Sequence, residues 1–280
     1  MISDTTSAAD SGIFEYFQKW HTQPEDETLG RVRAECLQGI QEVLARYFEE
    51  KTEGMGSARM KTFKSLPCKC ILKQFGSSVF GGAGKDSDID LLLSGFNELM
   101  SREEFTSELV DYLKRSGAQN VVAVPLAKVP IVKMEFQGVQ LDLLYCAMLT
   151  PNPSWIEALM KSKVPLAQVQ AYLADICNAT YDKANNLSYL GLKTCTVMLE
   201  MIEDKRAFSC ALRILKFWAK RRGIYGFNFG YLNGISLVIM LIKAQQHLQK
   251  TEPVKRSHDL EIGGSLNSTM HETPAASFID

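Results

Sequence analysis

Phe75-Gly76-Ser77 is followed, after ten residues, by Asp88-Ile89-Asp90-Leu91. On a strand, residues two apart share a face, so Asp88 and Asp90 would project together while Ile89 and Leu91 point to a core. Two carboxylates on one face are costly unless something cationic neutralises them. A hard, oxygen-liganded ion such as Mg²⁺ does so. A third carboxylate, Asp142, sits in the apolar run Val139-Gln140-Leu141-Asp142-Leu143-Leu144, whose neighbours predict a buried strand. Three such groups can hold two ions roughly 3.5–4 Å apart, the arrangement used for in-line phosphoryl transfer. One ion would activate an attacking hydroxyl and the other would hold a triphosphate. Gly76-Ser77, at a strand end opening a helix, would offer N–H groups and a hydroxyl to phosphate oxygens. A D-x-D pair by itself is also common as a turn or cap. The upstream Gly-Ser and the later strand aspartate favour the metal-site reading.

Two other patterns compete for attention. Gly81-Gly82-Ala83-Gly84-Lys85 looks like a phosphate-binding P-loop, but that motif needs Gly at position 79 and Ser or Thr at 86. The chain has Val79 and Asp86 there, which excludes it. Arg213, Lys216, Lys220, Arg221 and Arg222 form a basic cluster in which Arg213, Lys216 and Lys220 have the spacing of one helical face. Cations closing a helix C-terminus ahead of Gly223 explain it; so does a triphosphate contact. Both readings stand on the residues alone.

The elements that must position these groups can be read from periodicity. Residues 25–50 repeat apolar side chains at helical spacing, with a linker at 51–58 carrying Gly54 and Gly56. Strands are predicted at 70–75, 88–93, 120–124, 130–136 and 139–145, the last two joined tightly at Gln137-Gly138. Ser101 and Glu104 have capping-box spacing for a helix stopped at Gly117. Beyond Pro151-Asn152-Pro153 helices are predicted at 155–160, 166–176, 189–202, 208–222 and 232–249. Past Thr251 the chain is polar and reads as disordered.

Bulk properties narrow the class. Of the 280 residues 46% are hydrophobic, an ordinary globular content. The net charge is −1, so any nucleic-acid contact must come from local clusters and bound metal. Seven cysteines are scattered with no C-x-x-C pair, which argues against zinc and for reduced intracellular thiols. The N-terminus shows no signal-peptide pattern and the apolar run 234–244 is too short for a bilayer, so a soluble protein with no membrane partner is expected.

With these residues in view, the chain resembles the eukaryotic canonical poly(A) polymerases. The likeness covers roughly residues 12–244. It is densest in 75–93, in VPIVKMEFQGVQLDLLY (129–145) and in LRILKFWAKRRGIYGFNFGYLNGIS (212–236). The resemblance implies an α+β fold, with a polymerase-β-like mixed-sheet domain followed by a helical middle domain. Its bounds would be an N-terminal helical segment 1–60, a catalytic domain 61–150, a truncated middle domain 151–250 and the tail 251–280. It implies that Asp88, Asp90 and Asp142 are the catalytic metal ligands for two Mg²⁺ or Mn²⁺ ions. Phe75, Gly76, Ser77, Ile89, Lys216, Tyr225, Gly234 and Ile235 would complete the ATP site with them.

The activity implied is addition of AMP from ATP to RNA 3′ ends in the nucleus, among mRNA cleavage and polyadenylation factors. A non-canonical terminal nucleotidyltransferase, for example a uridylyltransferase, and an inactive RNA-processing binding protein are the alternatives. Three departures from the family pattern are visible. Leu190 stands in Ser188-Tyr189-Leu190-Gly191 where the family has Asn. Gly84 replaces a Thr and Asn233 a Gly.

Overall fold

The computed structural model describes residues 27–84, 87–148, 183–226 and 230–251. Helix α1, Glu27–Glu53, carries Cys36, Ile40, Val43, Leu44, Tyr47 and Phe48 on one buried stripe. It runs three residues past the predicted end because its last turn is anchored. Lys51 Nζ meets Glu104 Oε1 at 2.7 Å and Glu108 Oε2 at 2.6 Å, and Thr52 Oγ1 donates to Phe48 O. Most of the expected linker is therefore helical: only 54–56 separate α1 from helix α2, Ser57–Lys64.

Five strands follow: β1 Cys70–Phe75, β2 Ile89–Phe96, β3 Gln119–Val124, β4 Ile131–Phe136 and β5 Val139–Met148. They form one mixed sheet in the order β1-β2-β5-β4-β3. Only the β2–β5 pairing is parallel. The β4–β5 turn uses Gln137 and Gly138, both at positive φ, as a tight two-residue hairpin requires. β2 and β5 each extend three residues beyond the predicted strands, since Ser94, Gly95 and Phe96 and then Cys146, Ala147 and Met148 stay buried.

The predicted helix after Ser101 is two helices, α3 Arg102–Thr106 and α4 Glu108–Arg115. The capping box is formed: Glu104 N–H donates to Ser101 Oγ and Ser101 N–H to Glu104 Oε2. The break at Ser107 has a local cause. The hydroxyls of Thr106 and Ser107 both donate to the Glu103 carbonyl and compete with the helical ladder.

α1 packs with the sheet and with α3 and α4 in a single hydrophobic core. The predicted helices at 155–160 and 166–176 and the tail lie outside the described residues. Three later helices are described: α5 Lys183–Glu200, α6 Lys205–Arg221 and α7 Gly234–Thr251. α5 lies against the sheet, and Tyr189 joins its core. α6 and α7 build a second, smaller core around Phe208, Leu212, Leu237, Val238 and Ile242, reached from the sheet side by Phe80. No helix among the described residues is long and apolar enough to cross a membrane. The six cysteines among them are free thiols.

Candidate active site

The parallel register of β2 and β5 sets Asp90 opposite Asp142. Paired residues of neighbouring strands project to the same face, so both carboxylates leave the sheet together. Ile89, Leu91, Leu141 and Leu143 alternate with them into the core. Asp142 is not deeply buried, contrary to the expectation from its apolar neighbours. It alternates away from the core, its side chain is 14% exposed, and Lys133, opposite it on β4, donates to its Oδ2. Asp88 stands just before β2 and is exposed.

Burial first, then the charges of Asp88 and Asp142, push the Asp90 carboxyl up to about 7, while Lys133 and Lys216 pull it the other way. A cation among the three would relieve that repulsion. Hard carboxylate donors that repel one another suit Mg²⁺ or Mn²⁺. Among the described residues, no three acidic, histidine or cysteine side chains already converge on one ion-sized point. The arrangement is a register pair with a third carboxylate at the strand entrance.

β1 delivers the second component. Phe75 pairs with Asp90, and the chain then turns through a 3₁₀ helix, Gly76–Phe80. Gly76 has φ +78, and a Cβ there would overlap the Asp90 carboxylate. Glycine is thus required twice, by conformation and by space. The turn is braced by α5: Gly76 N–H donates to Cys195 Sγ at 3.3 Å, and the Phe75 ring lies over Gly191.

The third component comes from α6 and α7. Lys216 is 6% exposed because it belongs to the buried stripe of α6, between Leu212 and Ala219. Its Nζ donates to Gly82 O at 2.7 Å and lies 3.5 Å from Ser77 Oγ. Burial, then the positive charge of Lys220, hold Lys216 down at about 8, although Asp88 and Asp90 oppose this.

The basic cluster divides accordingly. Lys216 turns inward, Lys220 lies over the Tyr225 ring at 5.6 Å, and Arg221 stacks on Phe217. A Cβ on Gly234 would come within 2.7 Å of Ser77 Cβ and 3.4 Å of the Tyr225 hydroxyl. That close approach ties α7 to the Gly-Ser turn. Ile235 packs into the second core. Asn233 caps α7, its Oδ1 accepting from the Ser236 N–H and hydroxyl, which gives this departure a local role. Leu190 is 53% exposed beside buried Tyr189.

Asp88, Asp90, Asp142, Phe75, Gly76, Ser77, Lys216, Tyr225 and Gly234 therefore gather where the end of the sheet meets α6 and α7, while the side chains of Ile89 and Ile235 turn into the two cores. Lys133 and Cys195 were missed by sequence reading. Lys133 could have been found from strand alternation, being level with Asp142 across a two-residue hairpin. Nothing local marks Cys195, whose role depends on how α5 docks.

Residues 15–149 match a family model described as poly(A) RNA polymerase, mitochondrial-like, central palm domain, and residues 207–255 match a poly(A) polymerase central domain. Nuclear poly(A) polymerase 4 of Arabidopsis thaliana is 27% identical, the match covering 85% of this chain and 29% of that protein. The poly(A) polymerase of Dictyostelium discoideum is 32% identical over 64% of this chain and 21% of its own length. The chain spans less than a third of either relative. Among solved structures, Cid1 in complex with the UTP analog UMPNPP aligns with a TM-score of 0.43 at 16% identity, covering 85% of this chain and 53% of that one.

Proposed function

We propose that this chain, which belongs to the poly(A) polymerases of the polymerase-β-like nucleotidyltransferase superfamily, adds AMP from ATP to RNA 3′ ends. The observation that carries the reading is the meeting of two opposite fields in one place. Asp90 and Asp142 leave the sheet in register, and Lys216 faces them across the Gly76-Ser77 turn.

In this reading Asp88, Asp90 and Asp142 hold two Mg²⁺ or Mn²⁺ ions, which when bound supply charge neutralisation and an activated 3′ hydroxyl. Lys216 gives a buried positive charge to the triphosphate, where low dielectric strengthens it. Its donation to Gly82 O would be exchanged for a phosphate oxygen. Ser77 and the Gly76 turn offer a hydroxyl and backbone to the same phosphates. Tyr225 and the Gly234-Ile235 turn close the nucleotide side, and Phe75 and Ile89 support the wall behind it. The catalytic domain would be 61–150 and the middle domain 151–250. RNA 3′ ends, ATP and nuclear cleavage and polyadenylation factors would be the partners.

Leu190 supports a second reading, because an exposed leucine replaces an amide that could hydrogen-bond a base. UTP is then the competing substrate. Incubating the protein with an RNA primer, Mg²⁺ or Mn²⁺ and each NTP separately tests both. A ladder with ATP alone is expected; a ladder with UTP alone, or none with any nucleotide, overturns the reading.

A further inference from the structure

The geometry points to Arg33, on α1 and outside every motif block, as a positioning residue that, by holding Gly84 and Ser87, sets Asp88 in the site. Its side chain is buried although it carries a fixed charge, which is costly without hydrogen-bond partners. Arg33 Nη2 donates to Gly84 O and to Ser87 O, both at 2.8 Å, across more than fifty residues of sequence. The two residues that carry those carbonyls are also bonded to each other. Ser87 N–H donates to Gly84 O at 3.0 Å, and Gly84 N–H donates to Ser87 Oγ at 2.8 Å. Asp88 is the next residue, with no strand pairing of its own to fix it before β2 begins at Ile89.

Gly81 and Gly82, a few residues earlier, are held by α6. Ser209 Oγ donates to Gly81 O at 2.9 Å and Lys216 to Gly82 O. α1 thus holds Gly84 and Ser87, and α6 holds Gly81 and Gly82. Asp90 and Asp142 owe their place to β-sheet register; Asp88 owes its place to a guanidinium. Arg33 also contributes to holding Lys216 below its ordinary value, so its charge reaches the site.

The inference rests on the proposed role of Asp88, but its first readout does not need activity. Hydrogen exchange in Arg33→Met should speed at the Gly84 and Ser87 amides by tenfold or more. The Gly81 amide, bonded to Ser78 O at the other end of the loop, and the core amides of α1 and β2 should keep wild-type protection. Arg33→Lys, which retains the charge but not the two-carbonyl geometry, should fall between. In primer extension Arg33→Met should lower kcat at least tenfold and move the KM for ATP by less than threefold.

Unchanged Gly84 and Ser87 exchange in a folded Arg33→Met would overturn the proposal. So would protection lost equally across α1 and the sheet, or a misfolded Met variant beside an Arg33→Lys protein with wild-type loop exchange. A chain that shows the local exchange change yet extends no primer in any form would instead count against the polymerase reading.

Discussion

The two hydrophobic cores hold opposite halves of the site by different means. Around the sheet, α1, α3, α4 and all five strands share one continuous core, and Ile89, Leu91, Leu141 and Leu143 lock the strands that carry Asp90 and Asp142. Asp90 and Asp142 are therefore placed by register, since a one-residue slip would carry both to the opposite face of the sheet. The cationic half rests on a smaller core, where α6 and α7 meet the 3₁₀ helix through Phe80, Phe208 and Leu212. Lys216 reaches the sheet side through Gly82 O and Ser77, and Gly234 through its close approach to Ser77. Substitutions on the sheet side should remove chemistry or the fold, and those on the helical side should mainly weaken nucleotide binding.

The strongest break is Asp90→Ala. Its side chain leaves the core face, so the fold should survive while primer extension falls below about a hundredth of wild type. Circular dichroism recorded beside the extension assay checks both halves of that statement. Extension above that level would remove Asp90 from the chemistry.

Leu92→Ala tests the sheet core directly. Leu92 is fully buried, and truncating such a residue costs about 2–5 kcal/mol. Urea unfolding should show the loss; a midpoint indistinguishable from wild type would mean the sheet core is looser than its burial implies.

Lys216→Ala should act on binding. Losing a charge-assisted contact worth about 1.5–3 kcal/mol should raise the KM for ATP by roughly tenfold or more without lowering the thermal midpoint appreciably. The pH dependence has a definite sign. Because Lys216 is held down at about 8, its positive charge is lost as pH rises through 8, so the KM for ATP should climb above that value. In Lys216→Ala that rise should disappear. Between about 8 and the ordinary lysine value the unfolded chain holds more protons than the folded one, so this group makes the fold gain stability with rising pH. An unchanged KM in the mutant would return the basic cluster to a helix-end role.

How much of this was legible in sequence follows the same division. Asp90, Asp142 and the Gly76-Ser77 turn could be found because strand alternation is a local period of two, and glycine at a left-handed position leaves a visible mark. The hairpin at Gln137-Gly138 and the Ser101–Glu104 box were readable for the same reason. The exposure of Asp142 was misjudged because a run of leucines hides which face each one takes. The split of the basic cluster depends on which stripe of α6 is buried, and Leu212 and Ala219 reveal that only when the spacing is referred to the core. Arg33 and Cys195 act across long sequence separations, where no local pattern reports them. The break at Ser107 required weighing two hydroxyls against one carbonyl.

The smallest effect expected lies away from the candidate site, where Lys51 joins Glu104 and Glu108. Burial would raise the Glu104 carboxyl, but hydrogen bonds from Lys51 and Ser101 outweigh it and hold the group below its ordinary value. A depressed carboxyl contributes stability above its unfolded pKa and loses it as pH falls through the folded one. The contribution should therefore be intact at neutrality and fade below about pH 4.5. It should also be small, since Glu104 is 37% and Glu108 47% exposed, and exposed pairs contribute only about 0.2–1 kcal/mol. Glu104→Gln should lower the urea midpoint slightly at pH 7, and the difference from wild type should shrink as the pH approaches 4. Removing Glu104 also costs the charge-assisted half of the α3 capping box, so part of the neutral-pH loss should remain in high salt, where the ion pairs are screened. A difference that vanished entirely in salt would mean the cap contributes nothing and the ion pairs alone anchor the end of α1.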